Sequence, residues 1–144
     1  MSVLVFLTLV VTGFVSCAEF GSYAFVHPVL RRLPQPERLA VEQGLLKTFG
    51  RIMPVGMTAA VVLAITAASR NPSAWSWSAV VAFVAALVST VIFNVPINRA
   101  TGRWEITEPP PGWERIRRRW EVFQGVRSWL LLAGFVLVCA AATT

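Results

Sequence analysis

Residues 3–25 read VLVFLTLVVTGFVSCAEFGSYAF, an apolar run in which Glu19 is the only charge. A helix crosses the hydrocarbon of a bilayer in about 20 mostly apolar residues, so this stretch is long enough to span one. A cleaved signal peptide is the competing reading, because Phe14-Val15-Ser16-Cys17 faintly resembles a lipoprotein cleavage site. No Lys or Arg precedes it, however, so the positive n-region of such a leader is missing. Three more apolar runs follow, Met53–Ser69, Trp75–Asn98 and Phe123–Ala142. Trp75 and Trp77 open the third at positions suited to the membrane interface. The helix of the second is expected to extend back toward Pro36, a residue suited to a first helical turn, and to kink at Pro54. The sequence thus predicts one all-α domain over 1–144, an integral membrane antiparallel four-helix bundle. Its spans cover approximately 3–27, 45–69, 75–98 and 122–142, with basic connections 28–44 and 99–121.

Composition agrees. The 144 residues are 56% hydrophobic and 14% charged, with a mean hydropathy of +0.63. A soluble chain this short buries only roughly two thirds of its unfolded surface, which would leave much of that apolar content in water. A water-soluble enzyme is therefore nearly ruled out. The net charge of +6 does not point to nucleic acid, because the arginines sit between apolar runs with no recognition motif around them. Cys17 and Cys139 both lie inside apolar runs, where they form neither a disulfide framework nor a CxxC metal site.

The same arginines orient the chain. Arg31, Arg32, Arg38, Lys47 and Arg51 follow the first span, and Arg99, Arg103, Arg115, Arg117, Arg118 and Arg119 follow the third, whereas the second connection holds only Arg70. The positive-inside rule places the two basic connections in the cytoplasm and both termini outside. The short connection from Arg70 to Ala74 forces an antiparallel helix pair. Glu108-Pro109-Pro110-Pro111-Gly112 reads as a stiff turn before a basic helix starting near Trp113.

Ionisable residues inside a span cost about 2.5 to 3.5 kcal/mol or more at its centre and are functional candidates by default. Here they fall in stripes. Glu19, Tyr23 and His27 recur every four residues and can share one helix face. Asn94 and Asn98 bracket Pro96, whose ring leaves the carbonyl of Ile92 without its usual donor. Trp120, Gln124 and Arg127 follow an i, i+4, i+7 pattern, and Glu42 interrupts an apolar face of Leu39, Leu46, Phe49 and Met53. All of them belong to the cytoplasmic ends of the four helices. Turned inward, they would form one polar pocket below a Val, Leu and Ala outer half. Plainer readings stand beside this: Glu42 and Arg127 as snorkelling interfacial groups, Glu19 as a structural partner of Arg127, His27 as a helix-end cap, Asn94 and Asn98 as interhelical glue, and the tryptophans as belt residues.

Cys17-Ala18-Glu19-Phe20-Gly21 through His27-Pro28, Glu42-Gln43 with Met53-Pro54, Asn94-Val95-Pro96-Ile97-Asn98 and the Trp120–Arg127 segment together resemble the anthrone oxygenase-like family of small four-span membrane proteins. The resemblance covers roughly residues 17–127. It implies a monooxygenase-type oxidoreductase of the bacterial cytoplasmic membrane that oxidises an anthrone to an anthraquinone with molecular oxygen, a polyketide chemistry in the fungal members. Gln124 departs from the His or Asn expected in the family's last motif.

Under that resemblance Glu19, a desolvated carboxylate, is the first candidate base. His27 is the second, as base or relay, and Tyr23 orients a phenol. Asn94, Asn98, Gln124 and Arg127 would hold the developing oxyanion, and Phe20, Phe93 and Trp120 would line a pocket for a flat lipophilic small-molecule substrate. The cofactor is either none or a single first-row metal ion on Glu19, His27 and Glu42. The rival class is a non-catalytic membrane protein that binds a quinone or lipid, serves as a partner subunit, or acts as a small transporter. A homo-oligomer through the Gly56–Ala60 region is compatible with either class.

Overall fold

In the computed structural model, which describes residues 1–144, the chain runs back and forth in four helices. These are α1 (Val3–Leu30), α2 (Gln35–Arg70), α3 (Ala74–Arg103) and α4 (Trp113–Thr143), each long and apolar enough to cross a membrane. There are no strands. Each helix packs on its two neighbours in a closed ring, α1 on α2, α2 on α3, α3 on α4 and α4 back on α1. The fold is an all-α antiparallel four-helix bundle, so both termini lie at one end and connections 31–34 and 104–112 lie at the other.

The helix boundaries follow local chemistry. At the start of α3, Ser73 Oγ accepts from the Ser76 amide at 3.0 Å, and Ser76 Oγ accepts from the Ser73 amide at 3.0 Å. This reciprocal cap satisfies two amides that no helical carbonyl can reach. At the start of α4 the proline run ends in Gly112, the one residue with positive φ, at 79°. Only glycine adopts that conformation without a Cβ penalty, which lets the chain turn into the helix at Trp113.

Two prolines, Pro28 and Pro96, stand in the last turns of α1 and α3 and cannot donate to the carbonyl four residues back. Each is preceded by a π turn, Ser22–Val26 in α1 and Thr90–Asn94 in α3. The His27 amide donates to Ser22 O and the Val95 amide to Thr90 O, a five-residue step in both cases. The widened turn absorbs the proline and adds a residue to each helix, which rotates everything beyond it. Both π turns lie at the end of the bundle away from the termini. By contrast α2 passes through Pro54 as one uninterrupted helix.

The bundle turns its polar side inward. Phe6, Val10, Phe14, Val55, Val62, Val81, Val91 and Val136 are exposed on its outer surface, where lipid tails would solvate them. On α1 the buried positions are largely Thr8, Thr12, Ser16, Glu19, Ser22 and His27. Thr8 and Thr12 donate to their own helix's carbonyls, and Ser16 Oγ donates across to Leu131 O at 2.8 Å. The polar groups in the half nearer the termini are thus satisfied, and an apolar core of Val15, Met57, Ala64, Phe83 and Leu131 fills that half. Helices approach closely through missing side chains: a Cβ at Gly134 would lie 2.8 Å from the Phe83 ring.

Candidate functional site: a polar cavity within the bundle

At the end away from the termini the helices part around a cavity of about 490 Å³, within the range of small-molecule sites. From α1 it is lined by Glu19, Ser22 and His27, and from α4 by Arg117, Trp120, Gln124 and Arg127. The four on α4 are spaced three, four and three residues apart, one straight stripe of a helix. From α3 come Thr90, Val95, Asn98, Arg99, Gly102 and Arg103. The α2 wall is mostly apolar, with Leu45, Leu46, Phe49, Met53 and Met57, and carries Glu42 at one end.

The charges in and beneath this cavity are arranged in two groups. In the first, Arg127 donates to Glu19 Oε2 at 2.8 Å, with both side chains almost fully buried. In the second, Glu42 meets Arg38 at 3.1 Å and Arg117 at 2.9 Å, while Glu121 meets Arg38 at 3.3 Å and Arg31 at 3.6 Å. Three guanidinium groups therefore surround two carboxylates, and they tie the connection after α1 and the start of α2 to α4 at this end. Buried charges are tolerated only when paired in this way.

His27 sits between the two groups. It is 4% exposed, and its ring lies 5.0 Å from the Trp120 ring, tilted by 50°. The Arg117 guanidinium stacks on Trp120 at 4.3 Å, so Glu42 holds Arg117, Arg117 holds the indole and the indole supports the imidazole. His27 Nδ1 has no hydrogen-bond partner in the protein, and neither do Asn98 Oδ1, Trp120 Nε1, Gln124 Oε1 and Arg127 Nε. Most buried polar atoms in proteins are paired. Five unpaired ones on residues lining one cavity equip it to receive a polar ligand.

Of the residues singled out by sequence, Glu19, His27, Glu42, Asn98, Trp120, Gln124 and Arg127 line this cavity. Four others do not. Tyr23, expected in line with Glu19 and His27, rests against Gly125, where a Cβ would come within 2.9 Å of its ring. The π turn is the reason: its extra residue puts Ser22 on the inward stripe and rotates Tyr23 away. Phe20 packs edge-on against Trp129 at 4.9 Å, and Phe93 stacks on Phe123 at 3.9 Å, so neither lines the pocket. Asn94 is fully buried behind the wall and donates to Trp120 O at 3.3 Å, which ties the π turn of α3 to α4.

The expected metal set also changes. Ligand atoms of His27, Glu42 and Glu121 lie within 4.8 Å of one another, whereas Glu19 is taken by Arg127. The two clustered carboxylates already face Arg31, Arg38 and Arg117, and a divalent cation would have to sit among those three positive groups. The donor set does not fit a metal. Sequence reasoning missed Arg117, hidden in the basic run Arg115–Arg119 although it lies on the Trp120–Gln124–Arg127 stripe. Arg38 and Glu121 were missed as well.

Residues 40–137 match the family model described as anthrone oxygenase. No curated protein and no solved structure matches the chain. The matched residues take in most of α2, all of α3 and most of α4, and therefore the Glu42, Asn98, Trp120, Gln124 and Arg127 walls of the cavity, while Glu19 and His27 on α1 lie outside them. By that match over about two thirds of its length, the chain belongs to the anthrone oxygenase family.

Proposed function

We propose that this protein is a membrane-embedded oxygenase that converts a flat lipophilic aromatic of the anthrone type to the corresponding quinone within the polar cavity. The observation that carries the reading is His27 Nδ1, a buried and unpaired imidazole nitrogen on a residue of the cavity wall, beside the unpaired polar atoms of Asn98, Trp120, Gln124 and Arg127. The hydrocarbon would cover spans near 3–27, 45–69, 75–98 and 122–142. The basic connections, and with them the cavity, would lie at the cytoplasmic face of the membrane and both termini outside.

The chemistry needs a base and an anion site. An anthrone methylene is acidified by the ring ketone, and removing its proton gives an electron-rich enolate that oxygen attacks at carbon. His27, neutral with its proton on Nε2, takes that proton on Nδ1. Glu19, engaged by Arg127, acts instead by holding that guanidinium in place. The enolate oxygen is stabilised by donors fixed before the reaction: the Gln124 and Asn98 amides, Trp120 Nε1–H and Arg127. Addition of oxygen and return of the proton give a hydroperoxide at the former methylene carbon. Loss of the remaining C–H proton with cleavage of the O–O bond then releases water and leaves the new ketone. The substrate supplies all four electrons that oxygen accepts, so the balance closes with one oxygen atom in the product and one in water.

Oxygen consumption by the protein in bilayer discs supplied with anthrone tests this directly. Uptake of one oxygen per anthrone, well above that of empty discs, is the expected outcome. Uptake equal to empty discs would withdraw the anthrone reaction and leave a binding role for the cavity.

A further inference from the structure

The cavity carries more positive charge than it neutralises. Of its four arginines, Arg127 is answered by Glu19 and Arg117 by Glu42. Arg99 and Arg103 meet no carboxylate. They stand four residues apart on the last turns of α3, both exposed and both lining the cavity, with Gly102 between them. A Cβ at Gly102 would lie 3.9 Å from Leu46 Cδ1, so this rim is where α3 comes up against α2. The exposed Gly50 on α2 also lines the cavity. The mouth therefore lies between α2 and α3, and its free charges are both positive.

Inward from that rim the wall turns apolar through Leu45, Leu46, Phe49, Met53 and Val95, and it ends at the polar groups around His27. A ligand matching both zones has a flat apolar body and a negative group at one end. Guanidinium groups bind carboxylates in a paired, planar geometry. Arginines at a mouth keep their hydration until such a group arrives, whereas arginines already paired to Glu19 or Glu42 are not available to it.

We infer that the physiological substrate is an aromatic acid, whose ring system lies beside His27 and Trp120 while its carboxylate is held at the mouth by Arg99 and Arg103. This rests on reading the cavity as the substrate site. A phosphate from a lipid headgroup offers the same anionic chemistry to the two arginines, and the experiment separates the two sources. In the reaction proposed above, the carboxylate stays bound at the rim and takes no part in bond making.

Binding of unreactive probes tests the inference apart from turnover. Affinities for anthracene-2-carboxylate and 2-methylanthracene are measured by quenching of tryptophan fluorescence in phosphatidylcholine discs, corrected for partition into empty discs. The measurements are repeated with Arg99→Gln/Arg103→Gln and with Arg99→Lys/Arg103→Lys. Two exposed ion pairs to one carboxylate predict a preference for the acid of up to about thirtyfold. That preference should collapse toward unity in the glutamine variant and be only partly retained in the lysine variant, which keeps the charge but not the planar pairing. Equal affinities in the wild type, or a preference that persists in the glutamine variant, would overturn the assignment. A preference present in phosphatidylcholine discs but abolished by phosphatidylglycerol would give the arginines to lipid phosphate instead, and would also overturn it. Failure of the oxygen assay with a surviving acid preference would withdraw the oxygenase reading and leave the anion site standing.

Discussion

Replacing His27 with alanine is expected to lower kcat for anthrone oxidation by about 10²- to 10⁴-fold, the usual contribution of a positioned general base. The bundle should remain folded, because the imidazole borders an existing cavity and its Nδ1 bonds to no other protein group. Folding is checked by a thermal melt in detergent. His27→Gln, which keeps a polar side chain of similar size, should lose nearly as much activity, since an amide cannot accept the proton. Added imidazole should restore part of the rate in the alanine variant. Activity within tenfold of wild type in both variants would show that another group takes the proton.

The second large effect is on stability. Arg127→Leu leaves Glu19 buried without its 2.8 Å partner, and breaking a buried pair on one side costs about 3–5 kcal/mol. A lower midpoint of denaturation in mixed detergent is the expected result. Adding Glu19→Gln to Arg127→Leu removes the orphaned charge and should restore most of the loss, because a neutral pair of similar volume carries no uncompensated ion. Additive losses in the double variant would mean that Glu19 and Arg127 are not coupled in the folded protein. The same comparison separates the structural role of Glu19 from a catalytic one: as a positioning residue it should alter activity through Arg127, so Glu19→Gln should weaken stabilisation of the enolate and leave proton removal by His27 in place.

Much of the architecture was legible because its signal is local. Four apolar runs, a connection of a few residues after Arg70 and a proline-glycine turn before Trp113 each depend on neighbouring residues alone. The inward stripe of α4 was equally readable, since Trp120, Gln124 and Arg127 follow an undisturbed helical period. The stripe of α1 was only half readable. Its regular spacing of Glu19, Tyr23 and His27 assumes 3.6 residues per turn, and the π turn at Ser22–Val26 breaks that assumption. Pro28 was the available sign that the turn before it must open. Pro96 gave the same sign in α3, where it was read as a polar break and the π turn itself was missed.

Long-range pairing was not legible at all. Glu42 stood out as a carboxylate on an apolar face, and Arg38 four residues before it was a visible partner, but nothing local marks Arg117 as the arginine of its run that turns inward. That choice is made by packing, because Trp120 needs a cover and Glu42 needs a second cation in the same place. The aromatic residues failed for a related reason. Phe20 and Phe93 were read as pocket lining from their position in the spans, yet an apolar ring in a membrane helix is stable facing outward, and each found another aromatic on a neighbouring helix. Of the three aromatic residues read as pocket lining, Trp120, which also carries a polar N–H, lies on the cavity wall.

Insertion of oxygen into an anthrone-type ring, the reaction proposed for the cavity beside His27, is read in the fate of labelled oxygen. With oxygen-18 gas and protein in bilayer discs, the quinone formed above the background of empty discs should carry one labelled atom at the new ketone, with the other recovered in water. Quinone whose new oxygen is unlabelled, accompanied by hydrogen peroxide, would show that oxygen serves only as an electron acceptor and would rule out oxygen insertion.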